Sequence, residues 1–250
     1  MNKISIIDTH AHYNKYVLVN INKAIELVNK NDDISKVINV GLNNKSSEEV
    51  VDISSKNDKF YASIGIHPLY DGDVSELEKL YYGDSDKIVA IGETGIDTSD
   101  NLTNQIMKFR ESIELANKLE LPLIIHANTT KNSTINATKL CLDILDNYNT
   151  MGYVFHSFQP DVELAKRITY NGGYVSFGPM ILKSNAKKSL EVIENVPIEK
   201  ILVETDYPFM TDDSNKVVDV FKKICELRCQ SEYSLTEQLN ANAKRLFYKL

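Results

Sequence analysis

The sequence predicts an α/β chain folded as a single (β/α)8 TIM barrel with an extra C-terminal helix. Three observations predict it. Eight short apolar, β-branched runs recur along the 250 residues, with longer segments of helical spacing between them. The runs are continuously apolar rather than alternating, as parallel strands covered on both faces must be. The first run leads into THAHYN and not into a glycine-rich phosphate loop, which turns the reading away from an open doubly wound sheet.

The elements follow in order. A first strand is read at residues 4–8 (ISIID) and a first helix at 21–30. A second strand at 37–41 (VINVG) precedes a helix at 47–56, whose start has the capping-box form Ser46-x-x-Glu49. Strands at 60–66 and 88–92 come next. The helix at 105–119 repeats Ile106, Phe109, Ile113, Ala116 and Leu119 at three- and four-residue spacing, the signature of one buried stripe. Strand 122–126 (PLIIH) pairs with helix 135–148, strand 152–156 (GYVFH) with helix 162–170, and strand 173–178 (GYVSFG) with helix 186–194. The last strand is 201–205 (ILVET). The tail, 214–250, holds enough sequence for two helices, one more than a barrel needs, and Ser234-x-x-Glu237 again has capping-box form. With no low-complexity tract or Pro/Ser-rich linker, residues 1–250 read as one domain.

Composition narrows the class. The chain is 42% hydrophobic and 25% charged, an ordinary globular profile. No stretch approaches the roughly 18 consecutive apolar residues of a membrane span. Residues 1–3 run straight into the first strand without the apolar core of a secretory signal. Cys141, Cys225 and Cys229 are few and odd in number, and read as reduced thiols of a cytoplasmic protein with no zinc knuckle. A net charge of −7 argues against broad coating of nucleic acid. It leaves room for a nucleic-acid enzyme, because bound metals or a local cationic patch offset global charge. Lys183, Lys187 and Lys188 could form such a patch; a solvated helix face is the favoured reading.

A barrel makes a demand: functional residues belong at the C-terminal ends of strands. His10 and His12 follow the first strand in IIDTHAHY, two apart, so both imidazoles can point to one side of an extended backbone. Alone, they are equally well two polar loop residues. His67 follows the third strand, His126 ends the fifth and His156 the sixth. Glu93 follows the fourth, and Glu204 and Asp206 the eighth. All five histidines of the chain therefore share one predicted rim. Imidazole and carboxylate form the mixed donor set of zinc, manganese and related divalent ions. Six ligands exceed the needs of one tetrahedral ion and suit two ions bridged by a carboxylate and a water.

These residues lie in eight ordered blocks: IDTHAH, GIHP, IGETGID, LPLIIHA, VFHSF, VSFGP, ILVETDYP and NAKRLF. Through them the chain resembles the TatD family of metal-dependent deoxyribonucleases, within the amidohydrolase-like barrels. The resemblance implies roles. His10, His12 and Asp206 would hold one metal, His126 and His156 the other, and Glu93 would bridge them. His67 would face the substrate phosphate, and Asn128 stands where substrate is bound. Asp8 would support the first metal, and Glu204 would orient the eighth-strand turn. The cofactors implied are two divalent ions, magnesium, manganese or zinc. The reaction implied is phosphodiester hydrolysis, most simply 3′-5′ exonuclease action on single-stranded DNA, RNA remaining open. Asp206 would orient the nucleophile and accept its proton, so Asp206 and Glu93 are the catalytic pair. DNA is the expected partner, as substrate, no membrane is expected, and a monomer is favoured.

The chain also departs from the family's pattern. Asn14 replaces an Asp, Asn128 replaces an Arg, the sixth strand ends HSFQP in place of an HCFTG-like motif, and ETDYP is followed by FMTDDSN, with no proline-rich basic loop. The ligand set is complete and the changes fall on substrate-facing loops. A two-metal amidohydrolase or lactonase acting on a small molecule therefore stays open as a rival. So does a non-catalytic subunit of a complex, although a retired enzyme is free to lose ligands and this chain has kept them.

Overall fold

The computed structural model describes residues 4–83 and 86–250. Residues 1–3, where the absence of a signal was read, lie outside them. Eight strands form one sheet in sequential order, each parallel to the next. They are β1 (Ile6–Ala11), β2 (Ile34–Val40), β3 (Phe60–Ile64), β4 (Ile88–Asp97), β5 (Leu123–Asn128), β6 (Tyr153–Phe155), β7 (Tyr174–Phe177) and β8 (Ile201–Val203). Sequential order with a helix after every strand is the (β/α)8 barrel. Around it lie α1 (Ile21–Lys30), α2 (Asn44–Ser55), α3 (Val74–Gly83), α4 (Leu102–Lys118), α5 (Ala137–Leu145), α6 (Val162–Tyr170), α7 (Lys187–Asn195) and α8 (Val217–Arg228). The additional helix is α9 (Glu232–Leu246).

The seam between β8 and β1 is held by side chains and strand ends. Thr9 Oγ1 donates to the Val203 carbonyl at 2.9 Å. Thr205 gives its N–H and its hydroxyl to Asp8, at 3.0 and 2.7 Å. The Asp206 N–H reaches the His10 carbonyl at 2.9 Å. Closure of the barrel therefore also brings the two chain-distant ends of the site together.

Two apolar cores follow from the geometry. One lies between sheet and helices, where Phe60, Phe109, Leu142, Ile168 and Phe221 are buried. The other fills the barrel interior with Ile7, Ile38, Val89, Ile124, Val154 and Leu202, joined by Ala243, Leu246 and Phe247 from α9 and its end. The extra helix is thus the floor of the barrel. Asn240 accepts from the Ile7 N–H and donates to the Ser5 carbonyl at the start of β1. Asn242 donates to the Ile198 and Ile201 carbonyls at the start of β8. These contacts explain the terminal NAKRLF block as a structural plug on the face opposite the site.

Several boundaries differ from the sequence reading. β1 continues through His10 to Ala11, and β4 through Glu93 to Asp97, because flanking strands continue to pair with polar residues. The cap of α2 is Asn43, whose side chain accepts the Ser46 N–H at 2.9 Å, with Ser46 in the third helical position. The cap of α9 is Ser231, which receives the Ser234 N–H at 3.2 Å. In both helices the capping residue sits three positions earlier than the box read from sequence. The three cysteines are free, Cys141 and Cys225 buried and Cys229 exposed. No helix among the described residues is long and apolar enough to cross a membrane.

Candidate metal centre

The site is built from strand ends. His10 lies within β1 and His12 just beyond it. His67 follows β3, Glu93 lies in β4, His126 in β5, His156 directly follows β6 and Asp206 follows β8. Glycines bracket Glu93. Gly92 and Gly95 have φ of +156° and +143°, and a Cβ on either would meet a β5 carbonyl, of Ile124 at 2.5 Å or of His126 at 2.1 Å. No other residue type allows β4 to approach β5 so closely there. Asp206 adopts φ +49°, a left-handed turn that Asp tolerates better than most residues.

The Glu93 carboxylate stands at the centre. Its Oε2 lies 3.4 Å from His10 Nε2 and 3.5 Å from His12 Nε2. Those two nitrogens are 3.0 Å apart, and Asp206 Oδ1 is 3.8 and 3.4 Å from them. Its other oxygen, Oε1, lies 2.7 Å from His126 Nδ1 and 2.7 Å from His156 Nε2, which are 3.2 Å apart. One carboxylate thus faces two separate donor clusters, one with each oxygen.

Hydrogen bonds on the far sides of the rings fix which nitrogens carry lone pairs. His12 Nδ1–H donates to the Val40 carbonyl at 2.9 Å, so its Nε2 turns a lone pair inward. His126 Nε2–H meets Asp97 Oδ2 at 3.1 Å, so its Nδ1 lone pair points at Glu93. Two acceptors 2.7 Å apart need a positive charge between them. Protons supply it when no metal is bound, and a divalent ion displaces them. His10, His12 and Asp206 have ligand atoms within 4.8 Å of one another, as metal coordination requires. Donor chemistry and geometry therefore fit divalent ions.

His67 is close by distance alone, its Nε2 3.6 Å from Glu93 Oε1. Its Nδ1, however, accepts the Leu69 N–H at 3.1 Å. The neutral ring then carries its proton on Nε2 and offers a donor to the site, not a lone pair. Burial pushes His67 down to about 3, against the pull of Glu93, so the neutral form persists.

The same fields act on the other groups. Burial alone would raise Glu93, but His156, His67 and bonds from His10 and His126 hold it well below the usual carboxylate range. Burial opposes charge on His156 and His126 too. Glu93 and Glu204 override it and raise His156, while Asp97 and Glu93 raise His126. Asp206, nearly fully buried, is held low by His12, His10 and His156 against its desolvation.

Asp97 is the residue that sequence reasoning missed. Glu93, Gly95 and Asp97 alternate along one strand and so share a face, which was the available signal. Asp97 also accepts the Asn128 side-chain N–H at 3.0 Å, and Asn128 Oδ1 accepts from Gln159 at 2.7 Å. Both polar atoms of the Asn128 amide are therefore engaged by neighbouring side chains, though the residue lines the adjoining cavity. Glu204 is fully buried. It accepts the Ser157 N–H at 2.6 Å and stands 3.7 Å from His156 Nδ1. Asp8 sits behind His10, accepting its backbone N–H at 3.3 Å. Asn14 Oδ1 accepts the Tyr16 N–H. Lys183, Lys187 and Lys188 are exposed and none lines the cavity.

A barrel with this carboxylate and imidazole cluster on its C-terminal rim defines a metal-dependent hydrolase. The chain belongs to the TatD family: residues 7–248 match the model of TatD related DNases. It is 30% identical over 257 residues to the uncharacterized metal-dependent hydrolase YabD of Bacillus subtilis, covering 97% of this chain and 98% of that one. Deoxyribonuclease Tat-D of Schizosaccharomyces pombe is 29% identical over 194 residues, 70% of this chain and 60% of its own. The crystal structure of YjjV, a TatD homolog from Escherichia coli K12, shares the fold with a TM-score of 0.86 at 24% identity, covering 97% and 98% of the two chains.

Proposed function

We propose that this hydrolase is a deoxyribonuclease that trims single-stranded DNA from its 3′ end in the cytoplasm, using two divalent ions. The observation that carries the reading is the division of Glu93, one oxygen toward His10 and His12 and the other toward His126 and His156. His10, His12 and Asp206 would hold one magnesium, manganese or zinc ion, His126 and His156 the other, with Glu93 shared. Ions so held lower the pKa of bound water and neutralise charge on phosphoryl oxygens. The chain's own residues supply the rest. Asp206, kept ionised, orients the attacking water and takes its proton. His67 Nε2–H is a ready donor for a phosphoryl oxygen that gains charge in the transition state. The deoxyribonuclease name of the fission-yeast relative supports the choice of DNA.

The test is cleavage of end-labelled single- and double-stranded DNA by protein reconstituted with each metal, beside a panel of amides and lactones. Chelator-sensitive loss of nucleotides from the 3′ end of single strands is expected. Turnover of an amide or lactone with no cleavage of DNA or RNA would assign the site to a small molecule instead.

A further inference from the structure

A cavity of about 410 Å³ opens beside the donor cluster, with His126, His156 and Asp206 on its inner wall. Its size is that of a small-molecule subsite. Its outer walls carry no cation: no lysine or arginine is among the lining residues. Phe158, Phe177 and Ile181 form buried apolar sides, and Met180 closes one edge. Asn185 and Ser189 lie on the loop after β7 and the first turn of α7. Neither side chain has a hydrogen-bond partner among the described residues, and the Ser189 hydroxyl is not among the sealed polar atoms. An amide and a hydroxyl are thus free to bond an incoming group.

A phosphate or a sugar carboxylate would lose its hydration here with no positive charge in return. An alkyl chain would leave the free amide and hydroxyl unmet. A flat, uncharged heterocycle satisfies both demands, with apolar faces and polar edges. We propose that this cavity seats the base of the nucleotide whose phosphate is cleaved. The proposal rests on the phosphodiesterase reading above and adds to it that the enzyme grips its substrate by a base as well as by the backbone.

The experiment compares the binding of thymidine 5′-monophosphate and 2-deoxyribose 5-phosphate to manganese-loaded protein by calorimetry, with cleavage of single-stranded DNA followed in parallel. The nucleotide should bind at least roughly tenfold more tightly than the sugar phosphate. Ser189→Phe, which fills the cavity from α7, should bring the nucleotide to the level of the sugar phosphate and leave the sugar phosphate unchanged. Asn185→Ala, on an exposed loop, should weaken the nucleotide alone. Equal affinities in the wild-type protein, or an undiminished preference in both variants, would overturn the base subsite while DNA cleavage persisted. Absence of both DNA cleavage and nucleotide binding would overturn the phosphodiesterase reading, and the subsite with it.

Discussion

Glu93 Oε1 lies 2.7 Å from His126 Nδ1, on β5, while its Oε2 faces His10 and His12, on and just beyond β1. A side chain that serves both donor clusters should cost both when it is lost. Glu93→Ala is therefore expected to weaken two binding events in a calorimetric metal titration, whereas His126→Ala weakens one. Equal losses of stoichiometry in the two variants would count against a shared carboxylate.

Asp97 touches only the His126 ring among the proposed ligands. Removing its charge should loosen one metal and leave the other. Asp97→Asn is expected to lower the affinity of one site by roughly 10- to 100-fold, the usual effect of a partner behind a ligating histidine. Titration of the variant checks it, with circular dichroism confirming the fold. A uniform loss at both sites would show that Asp97 supports the barrel rather than His126.

His67 stays neutral across the working range, since burial holds it near 3. Its donor role then does not titrate near neutrality. His67→Leu, which keeps the bulk and removes the N–H, should lower kcat for DNA by about 100-fold, as loss of one transition-state donor does, without moving the acid limb of the rate profile. A displaced acid limb in the variant would mean that His67 acts as a titrating group after all.

Asp8 gives a pH-dependent stability. Burial lifts its carboxyl from 3.8 to about 7, although bonds from Thr205 and the His10 N–H oppose the rise. A folded-state value above the unfolded one makes the contribution complete below about pH 4, and it is lost as pH rises through about 7. Asp8→Asn cannot ionise, so relative to wild type it should gain stability between about pH 4 and pH 8, on the order of a few kcal/mol. Urea denaturation of the metal-free proteins measures the difference. A gap that does not change with pH would mean that Asp8 ionises as freely in the folded chain as in the unfolded one.

Much of this was legible because barrel strands advertise themselves as β-branched runs, and α1 and α6 carry clear buried stripes that set their ends. The rim histidines could be ordered by strand for the same reason. The helix α3 was harder to see, since Val74 and Leu77 are its only residues described as buried. The true length of β1 was hidden by Thr9 and His10, polar residues that a strand reading discounts but that closure of the barrel buries. The cavity could not be read at all. Phe158 follows β6, Phe177 ends β7 and Ser189 lies on α7, and only the fold makes them neighbours. The tautomers of His12 and His67 likewise depend on backbone groups of Val40 and Leu69, which sequence does not pair with a ring.

If one carboxylate joins two metals, electron paramagnetic resonance of the manganese-loaded protein will register it. Two manganese ions per chain with an exchange-coupled spectrum are expected, and in Glu93→Ala loss of that coupling. One ion per chain, or two with independent spectra in the wild-type protein, would contradict the shared carboxylate.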